Sequence, residues 1–439
     1  MDENNISEFE QKGTQISEKL FGGIFEYDGA GYYPGLELLN LVFGTRGNTL
    51  LPAGGEVHIT RNGQDFARRL VWDEAFERHP KRREVLLDEQ TENTIKHLLA
   101  CLQLPIPGSN KRPASWQKAH FFPYSKSLIH WDARERPKGS NRIKLERIYL
   151  RGAGAMAYKV LRMDPDSARL YRCRQGFQNL FPAGGSPLEQ LASELAKHGE
   201  IDEVPRQDEI EKSALAGIFN DTLEDVFRDG MSNILGHVEL SAVARIRSVM
   251  NWTAFWLDLT QHRRAAAALE KPATYIVCDC GASNAQLRRA SQRCLKDLQA
   301  LIVAAFEKTA ADMNSSTSKK RRNNIRGFFW ATAATIKLLN SWRGRRHFTL
   351  GLDILETLVL AACDKKKEIP FDDFVEAWLF EKCGLIIGRR SAERSGILAT
   401  FDASIFEENE NQLASQMSAA GLLTQYSDAT RMVSTGGLQ

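Results

Sequence analysis

The apolar positions in the second half of the chain follow helical spacing. Large apolar residues recur every three or four positions over Leu240–Leu269, and again from Ser283 or Asn284 to about Met313, which predicts two long helices. Between them, the apolar and β-branched run Thr274–Cys278 predicts a short buried strand. Asp279–Gly281 then predicts a turn that leads into the second helix.

The last 90 or so residues show a definite order of elements. An apolar helix is predicted over Leu352–Ala362, a second helix opens at Pro370, and a third spans Asp402–Ala419. Leu422–Val433 then predicts strand, turn and strand. This is the order of a winged-helix domain. The third helix carries three acidic residues, Glu407, Glu408 and Glu410. Because a helix that reads DNA should be basic or polar, we expect this one to contact protein.

The first half is less regular. A short helix is predicted over Ile6–Leu20, glycine- and tyrosine-rich turns between short strands follow, and Val85–Leu102 predicts another helix. The breaker Phe181–Pro187 suggests a domain boundary after it. The predicted class is mainly α with an α+β N-terminal part, a helical bundle and a C-terminal winged-helix-like domain. The predicted domains are residues 1–180, 206–350 and 351–439.

Positive charge is concentrated in residues 313–352. This segment holds nine Lys or Arg and no Asp or Glu, although the whole chain has a net charge of only +3. Lys319–Arg322 follow a polar lead-in, and a mostly buried helix is predicted over Gly327–Asn340. The candidate nucleic-acid contacts in the segment are Lys319, Lys320, Arg321, Arg322, Arg326, Arg343, Arg345 and Arg346.

Two interpretations of this basic segment remain open. One is a solvated loop beside a core helix, since runs of charge usually face water. The other is a phosphate-binding surface held by a rigid helix, because like charges at this density repel one another unless an anion neutralises them. We favour the phosphate-binding surface.

A second basic segment covers residues 105–151, with eleven cations, three acids and six interleaved aromatic residues. Cations that follow a phosphate backbone and aromatic faces that stack on bases are typical of single-strand binding. The same composition also suits a long surface loop pinned by its aromatics. The candidate contacts here are Lys111, Arg112, Lys138 and Arg142. Arg289 and Arg293, one helical turn apart, are expected to extend the basic surface.

The sequence lacks the motifs of several common enzyme classes. It has no phosphate-binding loop, nucleophile elbow, zinc-protease helix or deaminase signature, and its cysteines and histidines show no metal-ligand spacing. Glu209–Lys212 matches a short nuclease pattern, but it lies in an acidic, helix-like stretch without the strands that such a site needs. We therefore expect no catalytic residue, no metal and no cofactor, and favour a binding protein over an enzyme.

Two short stretches carry a resemblance. Asp279–Gly281 leading into Gln286–Ser291, with the ending Tyr426–Thr430, resembles uncharacterised helical subunits of bacterial anti-phage defence and DNA-modification islands. The resemblance implies an accessory subunit that works on DNA beside ATPase, nuclease or methyltransferase partners. It identifies no catalytic residue.

These observations lead to one favoured function and two alternatives. The favoured function is a non-enzymatic, cytoplasmic accessory subunit that binds nucleic acid, with DNA preferred, and other proteins. The acidic N-terminus lacks an export signal, and the apolar runs are too short for a bilayer, so we expect no membrane association. The alternatives are a scaffold subunit whose basic surface docks an acidic partner, and a metal-dependent nuclease with a dispersed site.

Overall fold

The computed structural model divides the chain into two compact units. It describes residues 13–27, 33–44, 50, 57–61, 88–104, 121–126, 129, 133–134, 144–145, 152–181, 186–187, 189–190, 207–211, 219, 221–281, 284–341, 345–364, 368–426 and 430–436. The first unit comprises residues 1–28, 164–173 and 217–439, and the second comprises residues 29–163 and 174–216. The chain passes between them within helix Ser167–Gln178.

The second unit combines helices with two-stranded antiparallel sheets. Its elements are α1 (Pro34–Gly44), β1 (Val57–Arg61), α2 (Glu89–Cys101), β2 (Ala133–Arg134), β3 (Lys144–Leu145), α3 (Ala153–Arg162) and β4 (Gln207–Glu211). Strand β1 pairs with β4, and β2 pairs with β3. Helix α1 packs on α3, where the Gly154 N–H donates to Glu37 Oε2 at 2.8 Å. A Cβ at Gly154 would collide with the Pro34 carbonyl oxygen, so only glycine permits this close approach.

Strand β4 corrects one expectation from the sequence. Glu209–Glu211 does not lie in a helix but in a strand paired with β1, with Ile59 opposite Glu209 and Val57 opposite Glu211. Its strand partner lies far upstream, so no local pattern of residues could reveal the pairing.

The first unit is built from helices around a long central one. Residues 13–21 are helical, and α4 is Ser167–Gln178. The remaining helices are α5 (Thr222–Gly236), α6 (Ala242–Ala268), α7 (Ala285–Asp312), α8 (Lys319–Thr335), α9 (Leu352–Ala362), α10 (Arg389–Arg394) and α11 (Ser404–Ala419). Between α9 and α10, a helical turn at Phe371–Asp373 runs into the π-helix Phe374–Lys382. The prediction of a mainly helical protein is confirmed. Among the described helices, none is long and apolar enough to cross a membrane.

Helix α6 forms the centre of this unit and packs against α5, α7, α8 and α9. Two fully buried tryptophans join it to α5. Trp252 Nε1 donates to the Phe227 carbonyl at 3.0 Å, and Trp256 Nε1 donates to the Leu223 carbonyl at 2.8 Å. Burying large aromatic surface while satisfying each indole N–H makes this contact both apolar and geometrically specific.

Short strands complete the first unit. Strand β5 (Ile276–Val277) pairs in parallel with β7 (Leu385–Ile386), and a three-stranded sheet has the order β6 (Ile369–Pro370), β9 (Arg431–Val433) and β8 (Leu423–Gln425). Asn409 of α11 fixes the β5 end: its Nδ2 donates to the Cys278 and Ile387 carbonyls, and its Oδ1 accepts from the Cys280 N–H. The strand within Thr274–Cys278, the helix capped by Asn284 and the terminal hairpin therefore occur where the sequence predicted them.

Candidate nucleic-acid interface

Helix α8 begins inside the basic cluster. Its N-cap is Ser318, whose Oγ accepts from the Arg321 N–H at 3.1 Å, so Lys319–Arg322 form the first turn. No acidic residue lies in that turn. The N-terminus of a helix carries partial positive charge, and each cation placed there costs about 0.3–1 kcal/mol when exposed. The sequence predicted a helix only from Gly327 onward, and the structure instead places these four residues in its first turn, where the helix itself favours an anion.

Two of the four cations are neutralised within the protein. Arg321 Nε lies 2.8 Å from Glu26 Oε1, and the two side chains are only 13% and 16% exposed. The Arg321 guanidinium also occupies the place that a side chain at Gly13 would need. Arg322 contacts Glu307 at 3.3 Å and the Thr317 carbonyl at 3.2 Å. Arg321 thus holds α8 against the N-terminal segment, and little of its charge faces solvent.

The other two cations are open to solvent. Lys319 and Lys320 are exposed and form no ion pair within the described part of the chain. Along α8, Lys319, Asn323, Arg326 and Trp330 recur at intervals of four, three and four residues, so they lie on one face of the helix. At 1.5 Å per residue this row is about 16 Å long.

The row ends in a stacked cation. Arg346 Cζ lies 5.1 Å from the Trp330 ring centroid, and Tyr27 contacts that indole edge-on at 5.6 Å. Burial lowers the pKa of Arg346, and the nearby positive charge of Arg326 lowers it further. Within the described residues neither guanidinium has a carboxylate partner, and Arg326 donates only to Asn323 Oδ1 at 3.1 Å. We call Lys319, Asn323, Arg326, Trp330 and Arg346 the basic stripe.

Helix α8 ends earlier than the sequence predicted. The predicted end was Asn340, whereas the helix stops at Thr335 because Lys337 adopts the left-handed conformation with φ of 62°. The Leu338 N–H bonds to the Ala333 carbonyl at 2.9 Å, and the Lys337 N–H bonds to the Ala334 carbonyl at 3.3 Å. This is a Schellman motif with lysine at a position that glycine usually occupies. The early stop allows the chain to return Arg346 to Trp330.

The remaining predicted contacts fall into three groups. Arg345 is exposed beside the basic stripe. Arg289 and Arg293 are exposed on α7, where Arg293 lies 3.7 Å from Asp297 and lines a cavity shared with β5 and β7. Five others lie outside the described residues: Arg343, Lys111, Arg112, Lys138 and Arg142.

Four acidic residues at and just before the first half of α5 bind arginines inside the first unit. Arg264 NH2 bonds to Asp221 Oδ2 at 3.0 Å and to Glu224 Oε1 at 3.1 Å. Arg169 bonds to Asp225 and Asp229 at the start of α5, and also to Asp164. These carboxylates neutralise internal arginines, so the charge of the basic stripe is not matched by them.

The Asp279 turn is held by contacts within the protein. Asp279 Oδ1 accepts from the Gly281 N–H at 2.9 Å, and Oδ2 lies 3.5 Å from His347 Nε2. The carboxylate therefore stabilises the turn before α7. Within the described part of the chain, no group of three or more His, Cys, Asp or Glu side chains could hold a metal ion.

Asn323 and Trp330 belong to the basic stripe although the sequence did not point to them. Their spacing from Lys319 and Arg326 was visible in the sequence, but it becomes informative only once the helix is known to start at Lys319. The place of Arg346 on Trp330 depends on a chain reversal that the sequence does not specify.

A comparison with models of known protein families finds no match to this chain, and comparisons with curated proteins and with solved structures find none either.

Proposed function

We propose that this protein is a non-enzymatic nucleic-acid-binding subunit, with DNA preferred, and that the basic stripe contacts phosphates. The observation that carries the proposal is the first turn of α8, where two exposed lysines stand at the positive end of a helix with no acidic residue beside them. Cations at the positive end of a helix destabilise that helix. Their presence is explained when a bound anion is attracted both to the cations and to the helix N-terminus.

The chemistry of the basic stripe fits phosphates better than bases. Arg346 is held on Trp330, which fixes its planar fork of donors, and Arg326 offers a second guanidinium close by. Guanidinium groups bind phosphate oxygens in a bidentate manner. Contacts of this kind give affinity that falls steeply with salt and little preference between bases.

The C-terminal region supports a role in a larger assembly. From α9 onward the order is helix, strand β6, the π-helix, strand β7, α10, α11 and a two-stranded hairpin, and β6 pairs with the last strand. This order resembles that of a winged-helix domain to which β7 and α10 have been added. The N-terminal half of α11 is fixed to β5 and β7 by buried Asn409 and is not free to enter a groove. We propose that this winged-helix-like part contacts other protein subunits, such as an ATPase or nuclease, in a cytoplasmic defence or DNA-processing complex.

A salt titration tests the proposal. Fluorescence anisotropy of labelled single-stranded DNA, duplex DNA and RNA, each measured at several salt concentrations, gives the slope of log affinity against log salt. For the triple variant Lys319→Ala, Arg326→Ala and Arg346→Ala, we expect the slope on duplex to fall by about 0.9 for each phosphate that the protein no longer neutralises. Lys271→Ala, an exposed lysine outside the basic stripe, is the matched control and should leave the slope unchanged.

Two other results would redirect the proposal. No binding at moderate salt, with self-association that salt disrupts, would favour the scaffold alternative. The specific observation that keeps a metal-dependent nuclease as second candidate is the pairing of β1 with β4, since Glu209 and Glu211 lie in a strand after all. Incubation of DNA with excess protein and Mg²⁺ or Mn²⁺ tests that candidate, and intact DNA would remove it.

A further inference from the structure

A cavity of about 310 Å³ opens in the first unit between α7, β5, β7 and the turn after α10. None of the residues of the basic stripe lines it. Its size lies at the lower end of the range for small-molecule sites, about 300–1,000 Å³, and so suits one compact ring system better than a peptide.

The cavity walls are apolar and fixed in position. They include Val277, Leu298, Ile386 and Phe401, together with the ring of Tyr275. Tyr275 is stacked on Phe380 with ring centroids 4.7 Å apart, and Arg263 Cζ lies 4.8 Å from the Tyr275 ring centroid. Phe380 and Arg263 cover the Tyr275 ring and hold it in place, so this wall offers a fixed ring edge, and not an open face, to a flat ligand.

The cavity also has a polar edge with both signs of charge. Arg293 and Asp297 lie one turn apart on α7, and both side chains line the cavity. Arg293 Nε and Asp297 Oδ2 are 3.7 Å apart, which is longer than the 2.7–2.9 Å of a strong charge-assisted hydrogen bond. Both side chains are about two-thirds exposed (67% and 68%). Such a loose pair adds little stability and leaves a donor fork and an acceptor free for a ligand.

A further cation lies close in sequence on the same helix. Arg289 precedes Arg293 by one turn, is exposed, and forms no ion pair within the described residues. An anionic group attached to a ring in the cavity could therefore meet Arg289 on the outer surface of α7.

We propose that this cavity binds a nucleobase that carries an exocyclic amino group, with its phosphate at Arg289. Asp297 accepts from the amino group and Arg293 donates to the neighbouring ring nitrogen or carbonyl oxygen, while the base packs against Tyr275 and Phe401. Guanine, cytosine and adenine present an amino donor beside an acceptor atom, whereas the N3–H donor of thymine and uracil lies between two carbonyl oxygens that repel the Asp297 carboxylate. The base comes either from a free nucleotide or from a strand; only the strand source rests on the proposed function.

Two probes distinguish these sources in the full-length protein. Calorimetric titration with dGMP, dCMP, dAMP and TMP measures the free nucleotides, and a single-stranded oligonucleotide containing 2-aminopurine reports by its fluorescence whether a base leaves the stack. Thr400→Trp fills the cavity from its exposed rim, and Thr400→Ser is its matched control. Asp297→Leu removes the acceptor oxygens while keeping a side chain of similar size.

We expect the amino-bearing monophosphates to bind at least about 10-fold more tightly than TMP, because an unmet hydrogen bond costs about 1–3 kcal/mol. Asp297→Leu should abolish that preference, and Thr400→Trp should abolish binding while Thr400→Ser retains it. For the strand source, Thr400→Trp should also remove the 2-aminopurine signal and leave the salt slope unchanged.

The outcomes separate the two proposals. Salt-dependent strand binding with neither monophosphate binding nor a fluorescence change sensitive to Thr400→Trp would overturn the cavity assignment and leave the proposed function standing. Monophosphate binding that Thr400→Trp abolishes, without any strand binding, would instead support the cavity as a free-nucleotide site and contradict the proposed function.

Discussion

Arg321 and Arg326 have opposite environments although they lie five positions apart on α8. Arg321 is largely buried against Glu26, whereas Arg326 is exposed and, among the residues that the structure describes, bonds only to Asn323. The same residue type therefore serves to hold the helix at one position and is available to a ligand at the other.

This difference gives a paired prediction at the scale of single residues. Arg321→Ala should lower the free energy of unfolding by about 1–3 kcal/mol, because it removes the closest partner of a mostly buried carboxylate, while the salt slope of binding stays the same. Arg326→Ala should change stability by less than about 0.5 kcal/mol and reduce the slope. Urea unfolding and anisotropy on both variants check this. If the two variants changed the free energy of unfolding and the salt slope to the same extent, Arg321 and Arg326 would not have separate structural and binding roles.

Asp258 provides a second prediction at this scale. It is fully buried in α6, neither carboxylate oxygen has a hydrogen-bond partner in the described structure, and burial raises its pKa well above 3.8. A raised pKa means that the folded state prefers the protonated form, so the contribution of Asp258 to stability is complete below about pH 3.8. That contribution is lost as pH rises through the folded pKa.

Asp258→Asn removes this titration. The free energy of unfolding of the variant relative to the wild type should therefore increase as pH rises from 4 to 7, by up to about 1.4 kcal/mol per pH unit. His262, one turn along, has a pKa lowered well below 6.5, mainly by burial, and acts in the opposite direction; it is present in both proteins and its effect largely cancels in the difference. Urea unfolding across this pH range gives the result, and a constant difference would contradict it.

At the scale of elements, the proposed function predicts that the lysines at the start of α8 favour binding and oppose stability. Lys319→Glu with Lys320→Glu should raise the free energy of unfolding by about 0.3–1 kcal/mol per residue, because acidic side chains favour the helix N-terminus. The same change should weaken nucleic-acid binding at least about 10-fold, since it replaces two attractive charges by repulsive ones. Lys271→Glu, an equal charge reversal outside the basic stripe, should leave affinity within a factor of about two. A variant that is more stable and binds as well as the wild type would separate this turn from the interface.

The elements show how far sequence reasoning reaches. Helix α9 lies at its predicted bounds, and α7 starts after Asn284, because apolar periodicity and an N-cap side chain are local properties. The start of α8 was missed because four adjacent cations lack the apolar spacing of a helix and only the Ser318 cap indicates one. Strand β4 was missed because its partner β1 lies far away in the chain.

The candidate interface was predictable only in part for the same reason. The cluster of cations is a property of the sequence, but their division into paired and open groups depends on Glu26, which is 295 residues from Arg321. The sequence likewise contained Trp330 and Arg346 without any sign that the two side chains stack.

At the scale of the whole molecule, the acidic side chains around Arg169 and the cations of the basic stripe have different surroundings. Arg169, only 10% exposed, bonds to Asp164 at 2.6 Å, Asp229 at 2.6 Å and Asp225 at 3.0 Å, and so ties residues 164–173 to α5 within the first unit. These acidic side chains stabilise the fold, whereas the cations of the basic stripe lie on α8 and shortly after it without a carboxylate partner among the described residues.

Arg169→Ala should therefore destabilise the protein strongly. The change leaves the buried Asp164 carboxylate without its closest cation, which typically costs about 3–5 kcal/mol. Arg169→Lys keeps the charge but not the planar fork of donors, and should lower the free energy of unfolding by a smaller amount than Arg169→Ala. Urea unfolding at neutral pH measures both. A loss below about 1 kcal/mol in Arg169→Ala would mean that water replaces the guanidinium at little cost.

Binding of nucleic-acid phosphates by the basic stripe is the property on which the proposed function depends. The most direct test is the salt slope of DNA binding for the wild type and for the triple variant Lys319→Ala, Arg326→Ala and Arg346→Ala, with Lys271→Ala as control. We predict a steep slope in the wild type and the control, and a slope on duplex in the triple variant that is lower by about 0.9 for each phosphate no longer neutralised. A triple variant that remains folded and binds with the wild-type slope would contradict this prediction.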